Sequence, residues 1–115
     1  MNEHQEQAAL IHWFRLQHPK YIIFAIPNGG VRNIGTAIKL KNEGVLAGVA
    51  DLFLMVANKT HHGLFIEMKA AKGKVSDQQK YFIEQAHAQG YAACVCYGFD
   101  QAKDAITNYL QNSMN

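Results

Sequence analysis

The chain has few cysteines, few prolines and no long apolar run. Its 115 residues include two cysteines and two prolines. Two cysteines are too few for the disulfide framework of a small secreted domain, and a structural zinc site usually needs four nitrogen or sulfur ligands. No apolar run approaches the ~20 residues that span a bilayer, and the polar N-terminus has no basic stretch of the kind that opens a signal peptide. These absences predict an intracellular, cytoplasmic protein without a membrane segment.

Charge is also sparse. Charged residues make up 17% of the chain and hydrophobic residues 49%, and the formal net charge is +2. This composition is typical of a globular core and excludes a histone-like polycation. The length predicts a single domain over residues 1–115. The charge is uneven, because the stretch from Arg32 to Lys80 holds eight basic and four acidic residues.

The hydrophobic periodicity predicts an α/β sandwich built around a mixed sheet. Helices are expected over 3–17, 36–43, 76–89 and 100–111, and strands over 21–26, 51–57, 64–69 and 91–97. A turn is expected at 27–30, where the sequence reads Pro-Asn-Gly-Gly. The strands at 51–57 and 64–69 are apolar on both faces, which indicates central, covered positions in the sheet. Cys94 and Cys96, two apart on a strand, are interpreted as buried thiols badly spaced for a bridge.

Two acidic residues interrupt these apolar strands. Asp51 opens one strand and Glu67 lies inside the next. A hairpin that turns near residues 59–61 would place Asp51 opposite Lys69, with Glu67 as its diagonal neighbour and all three side chains on one face. Two carboxylates with water and substrate oxygens suit Mg²⁺ or Mn²⁺, and a lysine beside them can stabilise charge on a phosphodiester. A buried ion pair without chemistry is the alternative.

Other polar residues point to the same region. Gln79 heads the inward stripe of the helix at 76–89, where it either faces the site or closes a capping box with Ser76. Glu6, on the apolar face of the first helix, is the first choice for a further acid, and Glu3 is the second. Both are also favourable simply as anions at a helix N-terminus. Lys72 and Lys74 either bind DNA phosphates or are simply solvent-exposed loop residues.

The ordered set of these motifs resembles a known family. It comprises Gly48-Val49-Ala50-Asp51, Phe65-Ile66-Glu67-Met68-Lys69 and Gly73-Lys74-Val75-Ser76-Asp77-Gln78-Gln79, with Ile26-Pro27-Asn28-Gly29-Gly30 and Lys39-Leu40-Lys41-Asn42-Glu43-Gly44 before them. The set resembles the VRR-NUC family, a branch of the PD-(D/E)XK nuclease superfamily, over nearly the whole chain. One departure is Ala50, which stands where the superfamily signature has proline.

The resemblance implies a restriction-endonuclease-like core, a mixed four-stranded sheet flanked by helices, and a metal-dependent deoxyribonuclease encoded by a bacterium or phage. Asp51 and Glu67 match the metal-binding acids, Lys69 the catalytic lysine and Gln79 the helix glutamine, and Glu6 is expected to add a third acid. The residues expected to contact DNA are Arg32, Lys39, Lys41, Lys72 and Lys74.

The sequence therefore favours an Mg²⁺- or Mn²⁺-dependent, structure-selective DNA endonuclease. A homodimeric resolvase of four-way (Holliday) junctions is the leading hypothesis, by analogy with compact relatives and because symmetric cutting of two strands needs two sites. Two alternatives stay open. One is a monomeric flap or nicking nuclease on branched DNA, and the other is a DNA-binding accessory protein that does not cut.

Overall fold

The computed structural model describes residues 1–27 and 33–114. The predicted turn at 27–30 lies largely outside these residues, as does Arg32. The elements follow the order α1 (Glu3–Gln17), β1 (Ile23–Ala25), α2 (Ile34–Asn42), β2 (Leu52–Leu54), β3 (Leu64–Lys69), α3 (Asp77–Ala88), β4 (Ala92–Tyr97) and α4 (Phe99–Gln111). The predicted α/β class and the expected order of elements are confirmed.

The four strands form one mixed sheet in the order β1-β2-β3-β4. The pairs β1–β2 and β2–β3 are antiparallel, whereas β3 and β4 are parallel and joined by α3. The predicted central position of β2 and β3 is therefore correct. The strands predicted over 21–26 and 51–57 are shorter in the structure, with three residues each.

One face of the sheet packs against α1 and α4. Leu10 and Phe14 of α1 and Ile106 of α4 are fully buried there, against Leu52, Leu54, Ile66 and Met68 of the two central strands. Each such side chain contributes roughly 1.5–3 kcal/mol on removal from water. This layer fixes how α1 crosses the sheet, and so where the N-terminal turn of α1 lies.

The opposite face is lined by aromatic rings and covered in part by α3. Phe65 lies against Phe53, with ring centroids 4.5 Å apart, and against Phe82 of α3 at 5.0 Å. Tyr91 contacts both Phe53 and Phe65. The period of two along β3 places Glu67 and Lys69 on this same face as Phe65.

The loop between β2 and β3 is organised by Asn58, a buried polar residue. Its Oδ1 accepts hydrogen bonds from the backbone N–H groups of Thr60 and His61, and its Nδ2 donates to the carbonyl of Tyr109. Leu52 pairs with Ile66 and Leu54 with Leu64, so the hairpin is centred on residue 59. The predicted register, with Asp51 opposite Lys69, is therefore wrong by two residues.

Two further findings complete the architecture. Cys94 and Cys96 are free, as predicted, with their Sγ atoms 3.6 Å apart. In the described residues, no helix is both long and apolar enough to cross a membrane.

Candidate active site

Asp51 and Glu67 lie side by side where β2 begins. Asp51 directly precedes Leu52, whose partner is Ile66, and this register sets Asp51 opposite Glu67. The two carboxyl groups are within hydrogen-bonding contact. A slip of two residues keeps every side chain on its face, so the corrected register still groups Asp51, Glu67 and Lys69, and it brings the two acids closer than expected.

Three contacts fix the position of Asp51 and of the loop that precedes it. Its Oδ2 accepts a hydrogen bond of 2.7 Å from the backbone N–H of Met68, and its carbonyl accepts one of 2.8 Å from Ile26. Gly48, at φ +91°, lies so close to α3 that a Cβ there would come within 2.5 Å of the Gln78 carbonyl carbon. Only glycine fits both the conformation and the space, and this close approach ties the loop before Asp51 to the start of α3.

Lys69 ends β3 beside Glu67. Its Nζ lies 3.9 Å from Glu67 Oε2, and the two side chains are only 13% and 5% exposed. The following loop turns back over the lysine, because Gly73 donates its N–H to the Ala70 carbonyl and a Cβ on Gly73 would lie 3.3 Å from Lys69 Cδ. The ammonium group is thereby held beside the carboxylate pair.

Its own burial and the neighbouring Asp51 strongly shift the pKa of Glu67. Burial, as the largest cause, and then the charge and hydrogen bond of Asp51 raise the pKa of Glu67 from 4.5 to about 8, with Lys69 opposing the rise and Glu3 adding to it. One positive charge from Lys69 therefore does not compensate two neighbouring carboxylates. The site favours either a shared proton or an additional cation.

The structure places the two candidates for the further acid at different points. Glu3, the second choice from the sequence, accepts a 3.2 Å hydrogen bond from the backbone N–H of Ala70, directly after Lys69. Glu6, the first choice, instead accepts a hydrogen bond from the N–H of Phe99 at the start of α4. No residue of α4 caps that helix with its own side chain, so Glu6 supplies the missing cap and a charge that suits the helix dipole.

Gln79 closes the capping box that the sequence offered as one of its two roles. Its Oε1 accepts a hydrogen bond from the Ser76 N–H, and its own N–H donates to Ser76 Oγ. Gln79 is therefore one turn into α3, beside the loop that holds Asp51, and its described hydrogen bonds go to the cap rather than to the acids.

The basic residues expected to contact DNA are exposed. Lys72 and Lys74 lie in the loop that follows Lys69, and Lys39 and Lys41 lie in the last turn of α2. Within residues 1–27 and 33–114, the Lys69–Glu67 contact is the only ion pair, so these four lysines are available to a ligand. Arg32 lies outside the described residues.

The donor set fits a divalent cation that relies on water and substrate for its remaining ligands. Asp51 and Glu67 offer hard carboxylate oxygens in contact with each other, which is the arrangement that Mg²⁺ uses with one or two carboxylates plus waters and phosphate oxygens. The described residues contain no group of three or more His, Cys, Asp or Glu side chains placed to hold an ion. The described residues therefore do not form a site in which protein side chains supply all the metal ligands.

Comparisons with known proteins agree with this geometry. A solved structure described as a "VRR_NUC domain protein" superposes with a TM-score of 0.86 at 30% sequence identity, over 98% of this chain and 91% of that one. The family model of the VRR-NUC domain matches residues 1–100. A search of curated proteins finds no match. The chain belongs to the VRR-NUC family.

Family membership sets the general activity. A VRR-NUC domain implies a nuclease-type function in DNA processing, with DNA as the partner and hydrolysis as the reaction. The family is generally metal-dependent, which agrees with a site made of two adjacent carboxylates and one lysine.

Proposed function

We propose that this protein is an Mg²⁺- or Mn²⁺-dependent, structure-selective DNA endonuclease that cuts four-way junctions as a homodimer. The observation that supports the proposal most is that Glu67 lies beside both Asp51 and Lys69 at one end of the two central strands. A buried acid such as Glu67, with a second carboxylate beside it, is costly unless a cation or a reaction needs it.

Asp51 and Glu67 would hold the cation, which when bound supplies a Lewis acid for the phosphate and an acidified water. The Met68 N–H keeps Asp51 in place, because it donates a hydrogen bond to Oδ2. Loss of the Glu67 proton would leave two neighbouring carboxylates, Asp51 and Glu67, available to the cation. The protein thus provides a preformed acidic pocket rather than one assembled by the substrate.

Lys69 would act on the substrate itself. Its ammonium group is held beside Glu67 by the strand and by the loop that turns at Gly73. From there it can orient the attacking water or stabilise the negative charge that grows on the phosphate oxygens. Glu3 takes the place that the sequence assigned to Glu6, as a further acid at the rim, beside the backbone of Ala70.

The lysines after β3 and on α2 would bind the DNA backbone. Lys72 and Lys74 follow the site directly along the chain, so they would bind phosphates near the cleaved bond. Further phosphate contacts would come from Lys39, Lys41 and Arg32. Phosphate contacts position DNA but carry no sequence information. Selectivity for a DNA structure is the expected result.

A homodimer would supply the second site that symmetric cutting requires. Helix α2 supports this part of the proposal, because none of its residues is buried and Ile34 and Ile38, one turn apart, are 79% and 55% exposed. Exposed apolar residues at helical spacing are typical of a contact surface.

The experiment is a cleavage assay on four-way, flap, splayed-arm and linear DNAs of shared sequence, with Mg²⁺, Mn²⁺ or chelator. Asp51→Asn and Lys69→Met test the site, and Lys103→Met, which removes a lysine from α4, is the matched control. We expect paired symmetric nicks in four-way DNA that need the cation and disappear in both site variants.

The rival functions predict different results. A monomeric flap or nicking nuclease predicts single cuts on branched ends and a monomer by size-exclusion chromatography with light scattering. A non-catalytic accessory predicts DNA binding without cleavage under any cation, and an Asp51→Asn variant that binds and behaves as the wild type does.

A further inference from the structure

An exposed tyrosine stands next to the candidate active site. Tyr97 is the last residue of β4 and the Cα partner of Lys69 in the parallel β3–β4 ladder. Neighbouring strands lie ~4.8 Å apart and paired residues project from the same face, so the ring of Tyr97 lies beside the lysine and two residue pairs beyond Glu67. It stays 39% exposed.

The ring of Tyr97 differs from the other aromatic side chains of this face. Phe53, Phe65 and Tyr91 pack on one another in the cluster under α3. Among the described residues, Tyr97 makes no ring contact of this kind. Its backbone is nevertheless fixed, because its N–H donates a 2.8 Å hydrogen bond to Gln101 Oε1 at the start of α4. The result is a positioned aromatic surface open to solvent.

We infer that Tyr97 is a base-stacking residue, and that the site prefers DNA in which the base next to the cleaved phosphate has an unstacked face, as at a branch point or an unpaired nucleotide. This inference rests on the proposed nuclease function. A phosphate bound at Lys69 places the adjoining nucleotide within reach of the neighbouring strand. A base inside a duplex is already stacked on both faces, whereas an unpaired base has a free face that an aromatic ring can cover.

Because the preference comes from base stacking, it depends on the structure of the DNA and not on its base sequence. Every base offers a π-face, so stacking on a tyrosine tolerates any base. An aromatic residue at the cut site therefore selects branch points, gaps and splayed ends, and it gives no reason to prefer one base over another.

The test compares a duplex with a splayed-arm DNA of the same sequence that carries 2-aminopurine at the first unpaired position. Binding is measured with chelator present, by anisotropy for affinity and by 2-aminopurine quenching for stacking. Tyr97→Thr keeps a hydroxyl and a strand-forming side chain but removes the ring, and Tyr97→Phe keeps the ring alone. Tyr21→Leu is the matched control, since Tyr21 is 40% exposed and precedes β1 at the opposite end of the sheet.

We expect Tyr97→Thr to bind the splayed-arm DNA roughly 5- to 100-fold more weakly and to lose the quenching. Tyr97→Phe should retain both, and duplex binding should be the same in all variants. Tyr97→Leu repeats the test if the threonine variant unfolds at a lower temperature. Equal affinity and equal quenching in wild type and Tyr97→Thr would overturn the inference. Binding measured with chelator keeps this result separate from the proposed function, which the cleavage assay with Mg²⁺ or Mn²⁺ tests.

Discussion

Replacement of Glu67 by glutamine removes a buried ionisable group while it preserves the shape of the side chain. Glu67 is 3% exposed and faces Asp51. Its pKa, raised from 4.5 to about 8, means that the native state binds this proton more tightly than the unfolded chain does. The corresponding stability is fully present below pH 4.5 and is lost as the pH rises through about 8.

The full rise in pKa corresponds to on the order of 5 kcal/mol. Half of that amount would lower Tm by roughly 10 °C in a domain of this size. In metal-free buffer we expect the wild type to lose stability between pH 5 and pH 9, and Glu67→Gln to lose much less, because an amide has no proton to release. Above pH 8 the variant should be the more stable protein.

The assay is thermal and urea unfolding of both proteins with chelator, at several pH values from 5 to 9. Glu84→Gln removes an exposed carboxylate from α3 and is the control. Addition of Mn²⁺ at pH 8 should raise Tm of the wild type and leave that of Glu67→Gln nearly unchanged. A Glu67→Gln variant that is less stable than the wild type by the same amount at every pH would refute the reasoning. It would show instead that the Glu67–Lys69 ion pair holds the fold together.

Three further predictions concern residues around the site. Glu6→Ala should lower stability by about 1 kcal/mol through loss of the α4 cap and leave cleavage intact, whereas Glu3→Ala should reduce cleavage with little change in Tm. Gly48→Ala should destabilise the fold by more than ~2 kcal/mol in urea unfolding, because a Cβ would lie 2.5 Å from the α3 backbone at φ +91°. Lys72→Ala combined with Lys74→Ala should weaken binding of all DNAs and reduce the slope of log affinity against log salt by roughly 2.

Each of the three predictions has an outcome that would contradict it. Loss of cleavage in folded Glu6→Ala at unchanged Tm would return the third acid to Glu6. A Gly48→Ala variant with wild-type stability would show that the loop before Asp51 is not tied to α3. If the slope of log affinity against log salt is unchanged in the double lysine variant, Lys72 and Lys74 do not contact DNA phosphates.

Much of the fold follows from side-chain periodicity. Ala102, Ile106 and Tyr109 of α4 are buried and lie three or four residues apart, which is the spacing of one helical face. The hairpin register could not be read in the same way, because a slip of two residues leaves every side chain on the same face. It depends on Asn58, whose side chain folds the loop around residue 59, and the sequence gives only a weak signal for that turn.

The candidate site shows a similar division. The pattern of acids in apolar strands was enough to group Asp51, Glu67 and Lys69 on one face. It could not rank Glu3 against Glu6, since residues three apart on a helix share a side. The ranking depends on which elements meet the first turn of α1, namely the end of β3 and the start of α4. The hydrogen bond from the Met68 N–H to Asp51 could not be predicted either, because any residue except proline offers the same backbone N–H.

The most direct test of the central claim is an anomalous-scattering map from crystals of this protein soaked in Mn²⁺. The account predicts a single strong peak between the carboxylates of Asp51 and Glu67, and no peak there in crystals of Asp51→Asn. Manganese bound elsewhere, in a protein that cleaves DNA under the same cation, would contradict it.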